Sequence, residues 1–327
     1  MTSVPIVETR GLVKRYDDQL AVAGIDLVVG PGEIYGLVGP NGAGKTTTMK
    51  ILATLLAPTA GEAFVTGIPV AADPVEVRRR IGYMPDFYGV YDDLRVWEYL
   101  DFFARCYEVP ANRRGPMIGE LLEIVGLTDK RDAYVEALSR GMRQRLCLAH
   151  TLVHDPALLI LDEPASGLDP RARVEMREIL RELRGMGKTM LVSSHILPEL
   201  GEMCTGVAII DHGRVLRSGS IAEIERSLRA STLLRIDVVG DEAAVAAAAE
   251  WLGTDPRISD VLPAQGADDG TARLEAAFDG STAEQADILR RMIEAGHTVA
   301  GFTQATSDLE EIFLKVTGQA VDEEAAA

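Results

Sequence analysis

Eight consecutive residues, Gly39-Pro40-Asn41-Gly42-Ala43-Gly44-Lys45-Thr46, constrain this chain more than any others. They fit the pattern G-x-x-x-x-G-K-[ST], a phosphate-binding loop that works only between a buried strand and a helix. The strand is supplied by Ile34–Val38, short and apolar as a parallel strand covered on both faces must be. The helix is predicted to start near Gly44 and to run to about Leu56, ahead of Pro58. Glycines in such a loop let backbone N–H groups turn towards phosphate oxygens, and the helix N-terminus adds its partial positive charge. Lys45 is placed to reach the β- and γ-phosphates of a nucleotide, and Thr46 to put its hydroxyl on Mg²⁺. Asn41, Gly42, Ala43, Gly44 and Thr47 complete the expected nucleotide-binding set.

Hydrolysis needs a second element. Leu158-Leu159-Ile160-Leu161-Asp162-Glu163 is an apolar strand ending in two carboxylates. Desolvating such charges costs several kcal/mol unless they are used. Asp162 would hold the Mg²⁺ shell, and Glu163 would orient and deprotonate an attacking water. Further apolar strands are expected at Ala157–Leu161, Thr189–Ser193, Gly206–Ile210 and Arg214–Ser218, with a helix from Pro170 to about Arg184. Strands alternating with helices predict an α/β fold with a mainly parallel sheet.

Two segments depart from that alternation. Eight of the seventeen aromatics lie between Phe87 and Tyr107. Within residues 87–135, Trp97, Leu100, Phe103 and Ala104 recur at helical spacing, as do Ile118, Leu121, Leu122 and Val125. A mostly helical insert follows, whose aromatics either pack a core or form a partly exposed pocket for a helix of another protein. From Ser231 the pattern becomes Leu233–Val239 (strand), Asp241–Leu252 (helix), Ile258–Pro263 and Thr271–Phe278 (strands), Thr282–Ala295 (helix), Thr298–Gln304 (strand). That β-α-β-β-α-β order is the ferredoxin-like arrangement. A short helix at Asp308–Val316 and a Glu- and Ala-rich tail predicted to be disordered close the sequence.

The charge is uneven. From Ser231 onward there are 19 acids and 6 bases, a net of −13, against −4 for the first 230 residues. An acidic surplus argues against nucleic acid as a partner, because neutralising phosphates needs clustered Lys and Arg. No apolar stretch approaches the roughly 18 to 20 residues of a membrane-spanning helix, and Met1–Arg10 has no apolar core of a secretory signal. Cys106, Cys147 and Cys204 lie far apart with no metal-ligand spacing and read as reduced thiols of a cytosolic protein.

The first two elements are shared by many phosphate-loop enzymes, small-molecule kinases included. The choice is made by Leu138-Ser139-Arg140-Gly141-Met142-Arg143-Gln144-Arg145, which resembles the signature sequence of ABC transporter ATPases. The resemblance covers about residues 4 to 225. It implies an ATPase that binds ATP and Mg²⁺, and that works as a homodimer or paralogous heterodimer with two ATP molecules sandwiched between chains. Ser139 and Gly141 would then face the γ-phosphate held by the opposite chain. Tyr16 matches the aromatic that stacks on adenine, Ser166-Gly167-Leu168-Asp169 the loop that communicates across the dimer, and His195 the histidine that contacts the γ-phosphate.

The resemblance further implies the fold and its divisions: a P-loop ABC ATPase cassette over residues 1–228, with antiparallel N-terminal strands, a mainly parallel core sheet and a helical insert at about 87–150. A smaller α+β ferredoxin-like domain at 229–318, read as a dimer contact first, precedes a tail at 319–327. The Arg140 and Met142 variants, and the stretch Ser307–Leu314, resemble the ATPases of ABC-2 exporters of the daunorubicin-resistance type. That implies a polytopic membrane permease as partner, docking near Asp86 to Tyr107, and a place on the cytoplasmic face of the membrane. The alternative is a soluble ABC ATPase acting on ribosomes or DNA, which usually carries two cassettes or a coiled-coil or zinc insertion absent from this sequence. One position departs from the family: after Ile81-Gly82-Tyr83-Met84-Pro85, where a glutamine normally touches Mg²⁺, this chain has Asp86. A carboxylate can still coordinate the ion, but it is shorter and adds negative charge beside the γ-phosphate.

Overall fold

A computed structural model describes residues 4–17, 19–86, 89, 91, 93–228, 232–264 and 271–305. Its contacts divide the chain into two units, Met1–Ile221 and Ala222–Lys315.

The first unit opens with β1 (Val7–Tyr16) and β2 (Gln19–Val29), followed by β3 (Ile34–Val38), α1 (Lys45–Leu52), β4 (Ala60–Val65), β5 (Ile68–Pro69), α2 (Pro74–Arg80) and β6 (Ile81–Met84). The helical insert holds α3 (Val96–Cys106), α4 (Ala111–Ile124) and α5 (Arg140–Thr151). The core resumes with β7 (Leu158–Leu161), α6 (Pro170–Gly185), β8 (Thr189–Ser194), α7 (Leu197–Gly201), β9 (Gly206–Asp211) and β10 (Arg214–Ser220). Two sheets result. An antiparallel one has the order β2-β1-β4-β5, and a six-stranded one runs β10-β9-β3-β8-β7-β6. In the second, β6, β7, β8, β3 and β9 are parallel and only β10 is antiparallel.

Every residue of β3, β7, β8 and β9 is buried, which is why those strands read as unbroken apolar runs. Leu37, Ile160, Leu191 and Ile210 join Met49 and Ile51 of α1 and Leu12 and Ile25 of the antiparallel sheet in one core. Each such side chain contributes about 1.5–3 kcal/mol by leaving water.

Two expectations are corrected in detail. Helix α1 ends at Leu52, a turn before Leu56, because Thr54 adopts φ +63° and closes the end. Its N–H donates to the Ile51 carbonyl and the Leu55 N–H reaches back to that of Lys50, a helix-ending pair that the apolar Leu55 and Leu56 hide from a periodicity reading. The buried face of α3 is Val96, Tyr99, Leu100 and Ala104, while Trp97 and Phe103 are only half-buried. The helix starts one residue earlier than the Trp97 stripe suggests, since Glu98 accepts from the Arg95 N–H at 2.8 Å and fixes the entry. In α4, Ile118, Leu121 and Leu122 are buried, with Val125 just beyond it. The aromatics divide: Tyr99 is fully buried, whereas Tyr91, Phe102 and Tyr107 are exposed. Phe87 and Tyr88 lie outside the described residues.

The second unit takes α8 (Ile221–Leu228) from Ala222 onward, then β11 (Thr232–Val239), α9 (Glu242–Leu252), β12 (Ile258–Ala264), β13 (Thr271–Phe278), α10 (Thr282–Glu294) and β14 (Val299–Ala305). The sheet order β12-β13-β11-β14, antiparallel throughout, is the ferredoxin-like topology. Leu234, Ile236, Leu274, Phe278, Ile288 and Met292 form its own core. Asp241 caps α9, and Ser281 with Glu284 forms a capping box on α10. The helix expected at Asp308–Val316 and the tail lie outside the described residues. Among the described residues no helix is long and apolar enough to cross a membrane.

Candidate functional site

Parallel register places the chemistry. Strands β3, β8 and β7 are aligned so that Val38 sits beside Ser194 and Leu161 beside Val192. Gly39, His195 and Asp162 therefore follow the carboxyl ends of three adjacent strands, where ligands of open α/β sheets bind. Asp86 follows the end of β6, which pairs with β7 through Met84 and Leu161.

Two glycines of the loop are required by geometry. A Cβ on Gly39 would overlap the Ile210 carbonyl of β9, so the loop can leave the sheet there only as glycine. Gly44 holds φ +103° as the N-cap of α1, and a Cβ there would overlap the Ala21 carbonyl. No side chain caps α1, which leaves its first-turn N–H groups to face an anion.

The loop opens on a cavity of about 280 Å³ lined by Asn41, Gly42, Ala43, Gly44, Lys45, Thr46, Thr47, Asp86, Glu163, Ser166 and His195. Lys45 is buried; its Nζ donates to the carbonyls of Gly39 (2.6 Å) and Pro40 (3.2 Å) and stands 3.7 Å from Glu163 Oε1. Burial pushes its pKa down, against the opposing pull of Glu163, Asp162 and Asp86. Glu163 sits at φ +51°, a left-handed conformation unusual for a residue with a side chain. Its Oε2 is 2.9 Å from His195 Nδ1, so the carboxylate is held between an ammonium and an imidazole.

Asp162 is 1% exposed, and its Oδ1 accepts from the hydroxyls of Thr46 (3.1 Å) and Ser193 (2.7 Å). Its Oδ2 is buried with no hydrogen-bond partner among the described residues. A buried, unpartnered carboxylate oxygen beside a threonine hydroxyl fits Mg²⁺, which takes one or two carboxylates and completes its shell with substrate phosphates. Among the described residues no three His, Cys, Asp or Glu side chains converge as a metal cluster. Ser193 also accepts from the Glu163 N–H at 2.8 Å and so ties the Asp162 carboxylate and the Glu163 backbone to β8. Sequence reasoning passed over Ser193; the only signal was a hydroxyl at the end of an otherwise apolar parallel strand.

The remaining expected residues lie elsewhere in the cassette. Ser139 is the N-cap of α5, its Oγ accepting from the Met142 N–H at 3.4 Å, and Asp169 caps α6 through the Ala172 N–H at 2.9 Å. With Arg140, Gly141, Gly167 and Leu168 they line a second cavity of about 680 Å³ that shares no lining residue with the first. Tyr16 ends β1, exposed, with the Lys14 ammonium 5.2 Å from its ring centre. It does not line the phosphate cavity.

The family model described as ABC transporter matches residues 22–166. The daunorubicin/doxorubicin resistance ATP-binding protein DrrA of Streptomyces peucetius is 38% identical over 97% of this chain and 94% of its own length. The Nod factor export ATP-binding protein I of Burkholderia pseudomallei (strain 1710b) is 43% identical over 67% of this chain and 72% of its own. Among solved structures, an ATP-binding subunit of an ABC transporter aligns with a TM-score of 0.62 at 30% identity, over 68% of this chain and 93% of that one. The cbiO1 protein of Clostridium perfringens, part of the transporter complex cbiONQ, aligns with a TM-score of 0.62 at 26% identity over 69% of this chain and 93% of its own. A phosphate loop, a strand ending in Asp162 and Glu163, and a relative at 38% identity matched over 94% of its own length lead to one conclusion: this chain belongs to the ATP-binding subunits of ABC transporters, a family of ATPases.

Proposed function

We propose that the chain is the motor of a membrane exporter, closing with a second ATPase subunit over two ATP molecules and docking on a polytopic permease of the ABC-2 type. The observation that carries the reading is the separation of two half-sites on one cassette: the cavity of Lys45, Glu163 and His195, and the Ser139–Gly141 face that shares no residue with it. Either half alone leaves a γ-phosphate open to water on one side, and juxtaposing two chains encloses it. Export is supported by the Nod factor export protein, with which the drug-resistance role of the daunorubicin relative agrees. The cytoplasmic face of the membrane is the corresponding location, and residues 1–228 are taken as the motor unit.

In this reading Lys45 leaves the carbonyls of Gly39 and Pro40 for the β- and γ-phosphates, which offer a charged acceptor in their place. Thr46, Asp162 and Asp86 would hold Mg²⁺, which, when bound, offsets the charge that develops on the phosphates. Glu163 accepts the proton of the attacking water through Oε1 or Oε2. His195, at hydrogen-bond distance, holds that carboxylate in line and contacts the γ-phosphate with its other nitrogen. Tyr16 stacks on adenine. Ser139, Gly141 and Asp169 close on the ATP of the opposite chain.

The test is to look for a polytopic membrane protein encoded next to this chain's gene and to co-express the two, followed by flotation of membranes. The chain is expected to float only when that protein is present, and to hydrolyse ATP faster there. A chain that stays in the soluble fraction with ribosomes, whatever membrane protein accompanies it, would contradict the reading.

A further inference from the structure

Arg140 stands out on the signature face because its side chain turns inward to its own chain. Its Nη2 donates to the Ser166 carbonyl at 3.3 Å, and its guanidinium fills the space that a Cβ on Gly167 would need. Gly167 is itself at φ +65°, a conformation that favours glycine. One turn further along α5, Gln144 donates to the Pro164 carbonyl at 2.5 Å. Residues 140 and 144 share a helix face, so α5 grips alternate carbonyls of the loop after β7. Gln144 is the buried rung, 3% exposed, and Arg140 the exposed one. The gripped residues lead to both half-sites. Ser166 lines the phosphate cavity and returns its N–H to the Glu163 carbonyl at 3.0 Å, while Gly167 and Leu168 line the cavity of Ser139 and Gly141.

We propose that Arg140 is a positioning residue that clamps the 164–168 loop to the start of α5, so that the cavity wall at Ser166 and the Ser139–Gly141 face move as one piece. The clamp lies within one chain; its consequence for hydrolysis rests on the two-chain reading above. ATP bound against Ser166 then sets the position of the face that meets the other chain's ATP, and the reverse. A flat, delocalised guanidinium suits the task because it lies over the glycine and donates from its edge, which an ammonium can only partly reproduce.

Steady-state ATPase assays on the full chain test this with Arg140→Ala, Arg140→Lys, Gly167→Ala and the Arg140→Ala/Gly167→Ala pair. Arg140→Ala is expected to lower kcat about fivefold to tenfold, the scale of one solvent-exposed hydrogen bond, with KM for ATP within about twofold. Arg140→Lys should recover part of the loss. Gly167→Ala, which displaces the guanidinium, should resemble Arg140→Ala, and the pair should be no worse than either alone. An unchanged kcat in Arg140→Ala, a raised KM with kcat unchanged, or additive losses in the pair would each overturn the clamp. Arg140 is exposed, so its variants keep the fold, and their thermal melts check this. The same preparations in a Glu163→Gln background separate the two ideas. Failure of the Glu163→Gln chain itself to dimerise with ATP counts against the two-chain reading, whereas the clamp stands or falls on kcat in the unmodified background.

Discussion

Asp86 lies in the wall of the phosphate cavity, exposed, with its charge favouring the Lys45 ammonium. In the reading proposed above the same charge opposes the γ-phosphate and adds a ligand for Mg²⁺, so the ion and the carboxylate should be linked. Replacing Asp86 by Gln removes one unit charge from the wall of the phosphate cavity, an effect that solvent screens because the residue is exposed. The Mg²⁺ concentration for half-maximal ATPase activity should therefore shift by severalfold. Identical activity at every Mg²⁺ concentration would show that Asp86 does not share the ion. At this scale the sequence was legible wherever a backbone motif fixes a side chain: Lys45, Thr46, Asp162, Glu163 and His195 are brought together as the motifs imply. Ser193 was not legible, because its role comes from cross-strand register and not from any local pattern.

Among the elements, the helical insert shows where periodicity succeeds and where it slips. The α4 stripe of Ile118, Leu121 and Leu122 is regular and its buried face matches, while α3 buries Val96 and Tyr99 in place of Trp97 and Phe103, with Glu98 accepting from the Arg95 N–H at its start. Where α3 meets α5, His150 stacks on Phe103 with centroids 4.3 Å apart, and its Nδ1 lies 3.4 Å from the Tyr99 hydroxyl. Burial, and then the neighbouring His154, push the His150 pKa down to about 4. The unfolded chain, with an imidazole near 6.5, takes up the proton first. The stability contributed by the neutral ring is thus complete above pH 6.5 and is lost as pH falls towards 4. A His150→Phe variant should show a smaller drop in melting temperature between pH 7.5 and pH 5 than the parent chain, by about 2–4 °C for each kcal/mol of linkage removed. Equal acid sensitivity would mean that the ring is already protonated in the fold.

For the whole molecule, the sequence pattern sets the boundary at residue 228/229, whereas contacts divide the chain at Ile221/Ala222, so that the rest of α8 goes with the second unit; each unit has its own core. Cargo was not legible, since nothing in an ATP site encodes what a separate permease carries. The number of chains needed was only half legible. Ser139 reads locally as a helix cap, and the two-chain reading is supported only by the cavity it lines sharing no residue with the phosphate cavity. The most direct measurement is light scattering on the Glu163→Gln chain with and without ATP and Mg²⁺, since loss of the base should stall the closed state before hydrolysis. With ATP the mass should rise to twice that of the 35.3 kDa chain and fall back when ATP is removed. A Glu163→Gln chain that binds ATP and remains a monomer would contradict the two-chain motor.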